Sequence, residues 1–278
     1  MHVSVFTALL AGGAFIAGIL GAMTGLGGGI VIVPLLTLGF GVDIRYAIGA
    51  SLVSVIATSS GAAAAYIKEG YTNIRVGMLL EIGTTTGALV GAYVGGLIPT
   101  SAIAIIFGLV LLLTAYRSSH PVEEHITNAR PDRLATRLRL NSTYPTPAGL
   151  QAYSVQAVPV GFALMGLAGV LSGLLGIGSG AVKVLAMDRA MRLPFKVSTT
   201  TSNFMIGVTA AASAGLYLHR GYIDPGLVLP VMLGVLAGAL LGARTLTRTP
   251  TKVLRNIFTI VVVILAVEML YKGIMGRL

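Results

Sequence analysis

Two glycine-rich turns, each followed by a short apolar stretch, have the residue types and spacing of an anion site. Their residues are Gly25, Gly27, Gly28 and Gly29 in the first turn, and Gly176, Gly178, Ser179 and Gly180 in the second. Glycines let the chain leave one helix and present bare N–H groups at the start of the next, where the helix carries a partial positive charge. The pattern predicts that an anion binds at these helix starts. The alternative is that the glycines only allow helices to pack closely.

Lys183 lies among apolar residues, three positions after Gly180. A lysine at membrane depth costs about 2.5–3.5 kcal/mol on insertion scales and marks a functional site by default. In the first turn of a short helix it would add a full positive charge to a bound anion's surroundings. The alternative is that its ammonium group reaches the membrane interface.

Glu81 lies in the middle of another apolar segment. Because apolar surroundings favour the neutral form of a carboxyl group, Glu81 is a candidate for ion coupling, with the proton as the ion. A permanent ion pair with Lys68, Arg75 or Lys183 is the alternative.

A polar tract opens a further segment and holds Thr201, Ser202 and Asn203, and Ser51 is the first-half counterpart of Ser202. Hydroxyl and amide groups suit the oxygens of an oxyanion without adding charge. Such residues also form ordinary hydrogen bonds between membrane helices. We include all four residues in the predicted substrate site.

The composition is that of a membrane protein. Of the 278 residues, 55% are hydrophobic and only 10% are charged, whereas an average soluble domain has about a quarter charged residues. The sequence has no cysteine and no metal-ligand spacing among its histidines, so no metal or cofactor is predicted. It shows no nucleophile–base pair either, and the protein is not expected to be an enzyme.

Apolar runs of about 20 residues are long enough to cross a bilayer as helices. Such runs occur at 3–23, 45–67, 75–97, 100–116, 154–175, 196–218, 226–247 and 252–272, with shorter pieces at 27–42 and 178–191. A shift of 151 residues superposes the two halves without a gap over 17–115, and places Ser51 on Ser202. The sequence therefore predicts a first transmembrane repeat over 1–116, a polar linker loop over 117–153 with a short amphipathic helix near 130–140, and a second repeat over 154–278.

The distribution of charge predicts how the chain crosses the membrane. If all ten apolar segments cross and the N-terminus is outside, 14 of the 19 Lys and Arg residues lie on the inner side, 4 lie outside, and Lys183 lies within the membrane. This bias fits the rule that basic loops are cytoplasmic, and it accounts for the net charge of +10 without nucleic acid. A model with re-entrant short segments gives little bias. The predicted fold is an all-α integral membrane protein with two inverted five-segment repeats, cytoplasmic linker and external termini.

At these motifs the sequence resembles the TauE/SafE family, also called the toluene sulfonate uptake permease family. The resemblance rests on both glycine-rich turns, on Pro34 after the first, and on the paired Gly-Tyr turns at Gly70 and Gly221. It implies a prokaryotic inner-membrane carrier that moves sulfite, thiosulfate or an organosulfonate without ATP. The chain departs from the family pattern at Ser179, Leu185 and Lys183.

The predicted function is therefore secondary transport of a small sulfur-containing anion by alternating access at a midplane site between the repeats. An anion channel or a cation/proton exchanger on the same architecture is the alternative. The expected partners are the anion, the lipid bilayer and a coupling ion, and not nucleic acid. The transport direction, the coupling ion and the oligomeric state stay open.

Overall fold

The computed structural model describes residues 3–24, 28–68, 70–119, 132–146, 149–178, 180–246 and 251–277. The chain is mostly helical. Its elements are α1 (Val3–Thr24), α2 (Gly29–Pro34), α3 (Ile44–Lys68), α4 (Ile74–Gly95), α5 (Thr100–Ser119), α6 (Arg133–Arg137), β1 (Ser142–Thr146), β2 (Gly149–Tyr153), α7 (Val158–Leu175), α8 (Gly180–Leu185), α9 (Phe195–His219), α10 (Pro225–Leu246) and α11 (Thr251–Ile274).

The helices fit a multi-pass membrane protein by length and composition. Four of the described helices contain an 18-residue window that is apolar enough to cross a bilayer: Ser4–Gly21, Thr100–Arg117, Val158–Leu175 and Pro225–Gly242. Large apolar side chains also remain exposed on helix faces, among them Ile82, Leu167 and Leu240. Continuous apolar exposure of this kind is rare on soluble monomers and suits a lipid environment.

The helices of the two halves begin at equivalent positions. Helices α2, α3, α4 and α5 begin 151 residues before α8, α9, α10 and α11 respectively, which is the shift found in the sequence. Each half therefore has the same succession of a long helix, a short helix and three further long helices. This agrees with the predicted positions of the ten apolar segments to within a few residues at most ends.

The short helices α2 and α8 end in the same way. Each continues for one turn of π-helix, Leu35–Gly39 after α2 and Ala186–Ala190 after α8. Pro34 precedes the first π-turn, whereas Leu185 precedes the second. Proline is therefore not required for this turn, and the departure at Leu185 leaves the local backbone unchanged.

Helices α3 and α9 lie side by side and run antiparallel. Arg45, at the start of α3, lies over the ring of Tyr222, which follows α9, and Lys196, at the start of α9, lies over the ring of Tyr71, which follows α3. Both cation-to-centroid distances are 5.9 Å. The two pairs are equivalent under the 151-residue shift.

Glycines bring helices of opposite halves close together. A Cβ atom at Gly87 of α4 would overlap the carbonyl oxygen of Gly166 of α7, and one at Gly238 of α10 would overlap that of Phe15 of α1. These two contacts are also related by the shift of 151. Because only glycine fits, the backbones pack at short range, as in other small-residue membrane interfaces.

The described part of the linker, residues 132–146 and 149–153, has more secondary structure than the sequence predicted. The expected amphipathic helix is the single turn α6, and it is followed by an antiparallel hairpin of β1 and β2, in which Ser142 pairs with Tyr153. The hairpin was not predicted. Buried linker side chains, including Leu140 and Tyr153, form one core with side chains at the starts of α4, α7 and α9. The linker therefore covers one end of the helix bundle.

Candidate functional site

The two glycine-rich turns meet where α3 packs against α9. A Cβ atom at Gly29 would lie 3.0 Å from the carbonyl oxygen of Gly176 and 2.8 Å from the hydroxyl oxygen of Ser51. The Ser51 hydroxyl donates a hydrogen bond of 2.7 Å to the Gly176 carbonyl, and Ser51 is fully buried. Residues 125 positions apart in sequence are thus joined at the junction of the halves. We call Gly29, Ser51, Gly176 and Gly178 the glycine junction.

Gly178 requires the freedom that glycine has. Its φ angle is +69°, a left-handed conformation that other residues rarely adopt. A Cβ atom there would also lie 2.9 Å from the side chain of Ile206 and 3.2 Å from that of Val55. Ile206 and Val55 are equivalent positions near the middles of α9 and α3. The glycine junction is therefore at the centre of the helix pair and away from its ends.

Lys183 forms a buried hydrogen-bonded chain with two residues on other helices. Its Nζ donates to the Thr209 hydroxyl at 2.6 Å, and that hydroxyl donates to Oε1 of Glu81 at 2.6 Å. Lys183 and Thr209 are both fully buried. The three residues come from α8, α9 and α4. We call them the buried triad.

The buried triad holds one positive and one negative charge in a protein interior. An unpaired charge is expensive there, so the Thr209 hydroxyl stabilises both ions by bridging them. The second carboxylate oxygen of Glu81, Oε2, is buried and makes no hydrogen bond within the described part of the chain. Oε1 receives a further hydrogen bond of 2.9 Å from Thr85. The carboxylate is thus satisfied at one oxygen only.

Thr209 was not identified from the sequence. The shift of 151 places it on Thr58, so a threonine at this position of both repeats was the available signal. Thr58 bonds only to carbonyl groups of its own helix, those of Ser54 and Val55. The bridging role of Thr209 depends on Lys183 and Glu81, which the same shift places on Ile32 and Met232.

Of the three basic residues that the sequence offered as ion-pair partners of Glu81, the structure connects Lys183 to it. Arg75 donates to the carbonyl of Arg139 in the linker, and its guanidinium therefore serves the linker contact. The side chain of Lys68 lies outside the described residues. Lys183 is the basic residue that the structure connects to Glu81, through Thr209.

Of the remaining predicted site residues that the structure describes, Gly28, Gly180 and Ser202 lie at the glycine-rich turns. Gly25, Gly27 and Ser179 lie outside the described residues. Gly28 packs toward Val235, and Ser202 donates a 3.3 Å hydrogen bond to the carbonyl of Gly180, which keeps both near the turns.

Thr201 and Asn203, the two neighbours of Ser202 in sequence, have different surroundings. The Thr201 hydroxyl accepts a 3.0 Å hydrogen bond from the backbone N–H of Asn73, so it anchors the start of α4. Asn203 is half-buried on α9.

No group of three or more His, Asp or Glu side chains that could hold a metal ion occurs among the residues the structure describes. Backbone groups and a serine hydroxyl come together at the glycine junction, and one ammonium and one carboxylate come together in the buried triad.

One titratable group outside the helix bundle is strongly affected by its surroundings. Burial under the linker raises the pKa of Tyr153 to about 12, although hydrogen bonds with Asn73 and Ser142 oppose the change. Asn73 donates to the phenol oxygen at 2.7 Å and to the carbonyl of Leu140 at 2.8 Å. Tyr153 and Asn73 therefore fasten the linker to the start of α4.

Comparisons with known proteins agree with this architecture. The family model described as "Sulfite exporter TauE/SafE" matches residues 10–269. A probable membrane transporter protein of Bacillus subtilis (strain 168), YunE, is 32% identical over 266 residues, which covers 93% of this chain and 95% of the relative. A second B. subtilis protein of the same description, YdhB, is 28% identical and covers 79% of this chain and 82% of the relative.

A third relative, a probable membrane transporter protein of Xylella fastidiosa (strain 9a5c), is 26% identical over 79% of this chain and 76% of its own length. No solved structure gives a significant match. These three relatives are named as transporters and not as enzymes. Since the family model spans nearly the whole chain and YunE aligns over almost its full length, the protein belongs to the TauE/SafE sulfite exporter family of membrane transporters.

Proposed function

We propose that the protein is a secondary carrier for a small sulfur-containing anion such as sulfite, thiosulfate or an organosulfonate. The observation that carries the proposal is the glycine junction, where Gly29 of one half meets Gly176 of the other at the middle of the α3–α9 pair. The starts of α2 at Gly29 and of α8 at Gly180 lie beside this junction, and backbone N–H groups at helix starts suit the oxygens of a sulfur oxyanion. The sulfite exporter description of the family model points to the same chemistry.

The carrier would consist of two inverted repeats of five membrane segments each. The equal helix starts, the antiparallel α3 and α9, and the matched glycine contacts support this arrangement. Carriers of this architecture bind substrate near the midplane and rock one repeat against the other. We place the linker in the cytoplasm and both termini outside, in the inner membrane of a prokaryote.

Lys183 supplies the positive charge for the anion in this proposal. It is three residues beyond Gly180, on the short helix that follows the second glycine turn. In the described state its Nζ is directed to Thr209 and is fully buried. The anion would therefore reach Lys183 after the repeats move, as alternating access requires.

Counterflow in proteoliposomes tests the carrier and the role of Lys183. The panel contains labelled sulfite, thiosulfate, sulfate, methanesulfonate and small carboxylates. We expect saturable exchange of a sulfur anion by the wild-type chain, and a raised half-saturation concentration in Lys183→Ala because the anion loses its ionic partner. Lys272→Ala, which removes a lysine near the end of α11, is the matched control and should exchange like the wild type.

Three results would contradict the proposal. Unchanged affinity in Lys183→Ala would remove Lys183 from the site. Failure of the folded wild-type protein to exchange any anion in the panel would remove the substrate class, and a cation/proton exchanger that uses Glu81 would become the favoured function. Flux that no ion gradient can drive uphill would indicate an anion channel.

A further inference from the structure

We propose that the buried triad couples transport to protons, with Glu81 as the internal counterion that the substrate anion replaces at Lys183. The inference rests on the proposed function and specifies its coupling ion. In the empty carrier the Glu81 carboxylate balances the Lys183 ammonium. When an anion binds at Lys183, Glu81 takes up one proton and becomes neutral.

The geometry allows this exchange because the two charges do not touch. Thr209 stands between them, with 2.6 Å hydrogen bonds to each. The Thr209 hydroxyl also has a second acceptor, the carbonyl of Met205 on its own helix at 3.0 Å. It can therefore turn from Glu81 to Met205 when the carboxylate loses its charge, while its oxygen still accepts from Lys183.

The proton has a defined place on Glu81. Oε1 is occupied by hydroxyl groups of Thr209 and Thr85, whereas Oε2 is buried and has no hydrogen-bond partner among the described residues. An anionic oxygen without a donor is unfavourable in a protein interior. We assign the transported proton to Oε2.

The balance of charge fixes the stoichiometry. Lys183 and Glu81 sum to zero in the empty carrier, and Lys183, a singly charged anion and protonated Glu81 also sum to zero. Both states avoid an unpaired charge inside the membrane, which is expensive. One proton therefore accompanies each singly charged anion, and the cycle moves no net charge.

Among the described residues, the group that acts electrostatically on Lys183 is Glu81. Helix α7, which packs on α4 near Glu81, has no ionisable side chain along its length. Helices α4, α8 and α9 and the π-turn after α8 hold their other charged or titratable side chains toward the ends: Arg75, Tyr93, Asp188, Arg189, Lys196, Tyr217 and His219.

The sequence contains no symmetry-related copy of the triad. Under the 151-residue shift, Lys183, Thr209 and Glu81 fall on Ile32, Thr58 and Met232. Ile32 is fully buried, and Thr58 bonds within its own helix. One chain therefore carries one such proton site, in agreement with one proton per anion.

The test compares two assays on the full chain in proteoliposomes, with labelled methanesulfonate as the singly charged probe and sulfite and thiosulfate beside it. Counterflow needs no gradient and reports binding and exchange. Uptake driven by a pH gradient, at clamped membrane potential, reports coupling. For one proton per anion, a gradient of one pH unit supports accumulation of about tenfold, toward the alkaline side.

Glu81→Gln mimics the protonated carboxyl. We expect the variant to lose accumulation driven by the pH gradient and to make its remaining counterflow insensitive to pH. Glu268→Gln, which neutralises an exposed carboxylate on α11, is the matched control and should accumulate like the wild type. Accumulation by Glu81→Gln at the wild-type level would overturn the inference.

Variants at Thr209 show whether its hydroxyl links Lys183 to Glu81 or only fills space between the helices. Thr209→Val should shift the pH profile of counterflow, because it breaks the link between the two charges, and Thr209→Ser should restore it. Thr58→Val changes the equivalent threonine of the other repeat and should leave the profile unchanged. An unshifted profile in Thr209→Val would overturn the bridging role.

A measurement on the wild-type protein avoids variants that fail to fold. Methanesulfonate entry should be accompanied by proton entry, detected with trapped pyranine, and should be unaffected by membrane potential. Net methanesulfonate uptake without proton entry would overturn the inference and leave the carrier proposal intact. Absence of exchange for every anion would instead overturn the carrier proposal itself.

Discussion

At the scale of single residues, the junction between the linker and the helices depends on Asn73. Its side-chain oxygen accepts from the N–H of Val76 at the start of α4, and its amide nitrogen donates to Leu140 and Tyr153. Its backbone N–H donates to Thr201 of α9. One buried residue therefore connects two helices and the hairpin, and its loss would leave several buried groups without partners.

Tyr153→Phe tests this junction. At pH 8 the variant should be less stable by about 1 kcal/mol, because one hydrogen bond is lost. Burial raises the pKa of Tyr153 to about 12, so the wild-type contribution is complete below pH 10, the ordinary value, and falls as the pH rises from 10 to 12. At pH 11 the linked loss of stability, about 1.4 kcal/mol for one pH unit, is as large as this contribution, so the melting curves of the wild type and Tyr153→Phe in detergent should coincide.

Tyr271→Phe, which removes an exposed phenol, is the control in the same melting experiment. A constant difference between wild type and Tyr153→Phe from pH 8 to pH 11 would show that Tyr153 does not resist ionisation in the folded protein.

The sequence identified the charged members of the buried triad but not their connection. Lys183 and Glu81 are conspicuous because each interrupts an apolar segment. Thr209 is one of many hydroxyl residues in α9, and nothing in its spacing shows that it lies between charges on α8 and α4. Contacts of this kind depend on how three helices pack, which the periodicity of one helix does not determine.

At the scale of elements, close packing across the halves is set by glycines at matched positions. Gly87 and Gly238 face backbone carbonyls of α7 and α1, so that α4 with α7 and α10 with α1 form equivalent pairs. Gly215 of α9, in contrast, has no atom within 4 Å of its Cβ position. The two kinds of glycine should therefore respond oppositely to alanine.

Gly87→Ala and Gly238→Ala should each destabilise the protein by about 1–3 kcal/mol, because the methyl group would force the helices apart. Gly215→Ala should be neutral or stabilising by up to about 1 kcal/mol, because alanine favours helix. Thermal melting of the three variants in detergent measures both effects. Equal stability of Gly87→Ala and Gly215→Ala would contradict the close contact of α4 with α7.

The helices were predictable and the hairpin was not, for a physical reason. Runs of apolar residues must be helical to satisfy their backbone in a bilayer, and this alone locates the long helices. The hairpin comes from a polar linker, where Tyr144 and Tyr153 are its large buried side chains. Its stability depends on docking against α4, α7 and α9, and no local pattern reports that.

At the scale of the whole molecule, the loops separate into two groups. The linker lies at the end where α4, α7 and α9 begin. Elsewhere, Arg45 at the start of α3 donates to the carbonyl of Ile98 at 3.0 Å and lies over the ring of Tyr222. These two contacts bring the α2–α3, α4–α5 and α9–α10 connections together. The distribution of Lys and Arg residues predicts that the loops of the first group are cytoplasmic and that those of the second group are external.

Cysteine accessibility tests this arrangement, and the chain suits it because it contains no cysteine. Leu150→Cys is in the hairpin and is highly exposed, as is Leu97→Cys between α4 and α5. Asp224→Cys is exposed between α9 and α10. With inverted repeats, an impermeant maleimide should label Leu97→Cys and Asp224→Cys in right-side-out vesicles and Leu150→Cys in inverted vesicles. Labelling of Asp224→Cys and Leu150→Cys from the same side would contradict the inversion, because both halves would then enter the membrane in one orientation and α3 could not run antiparallel to α9.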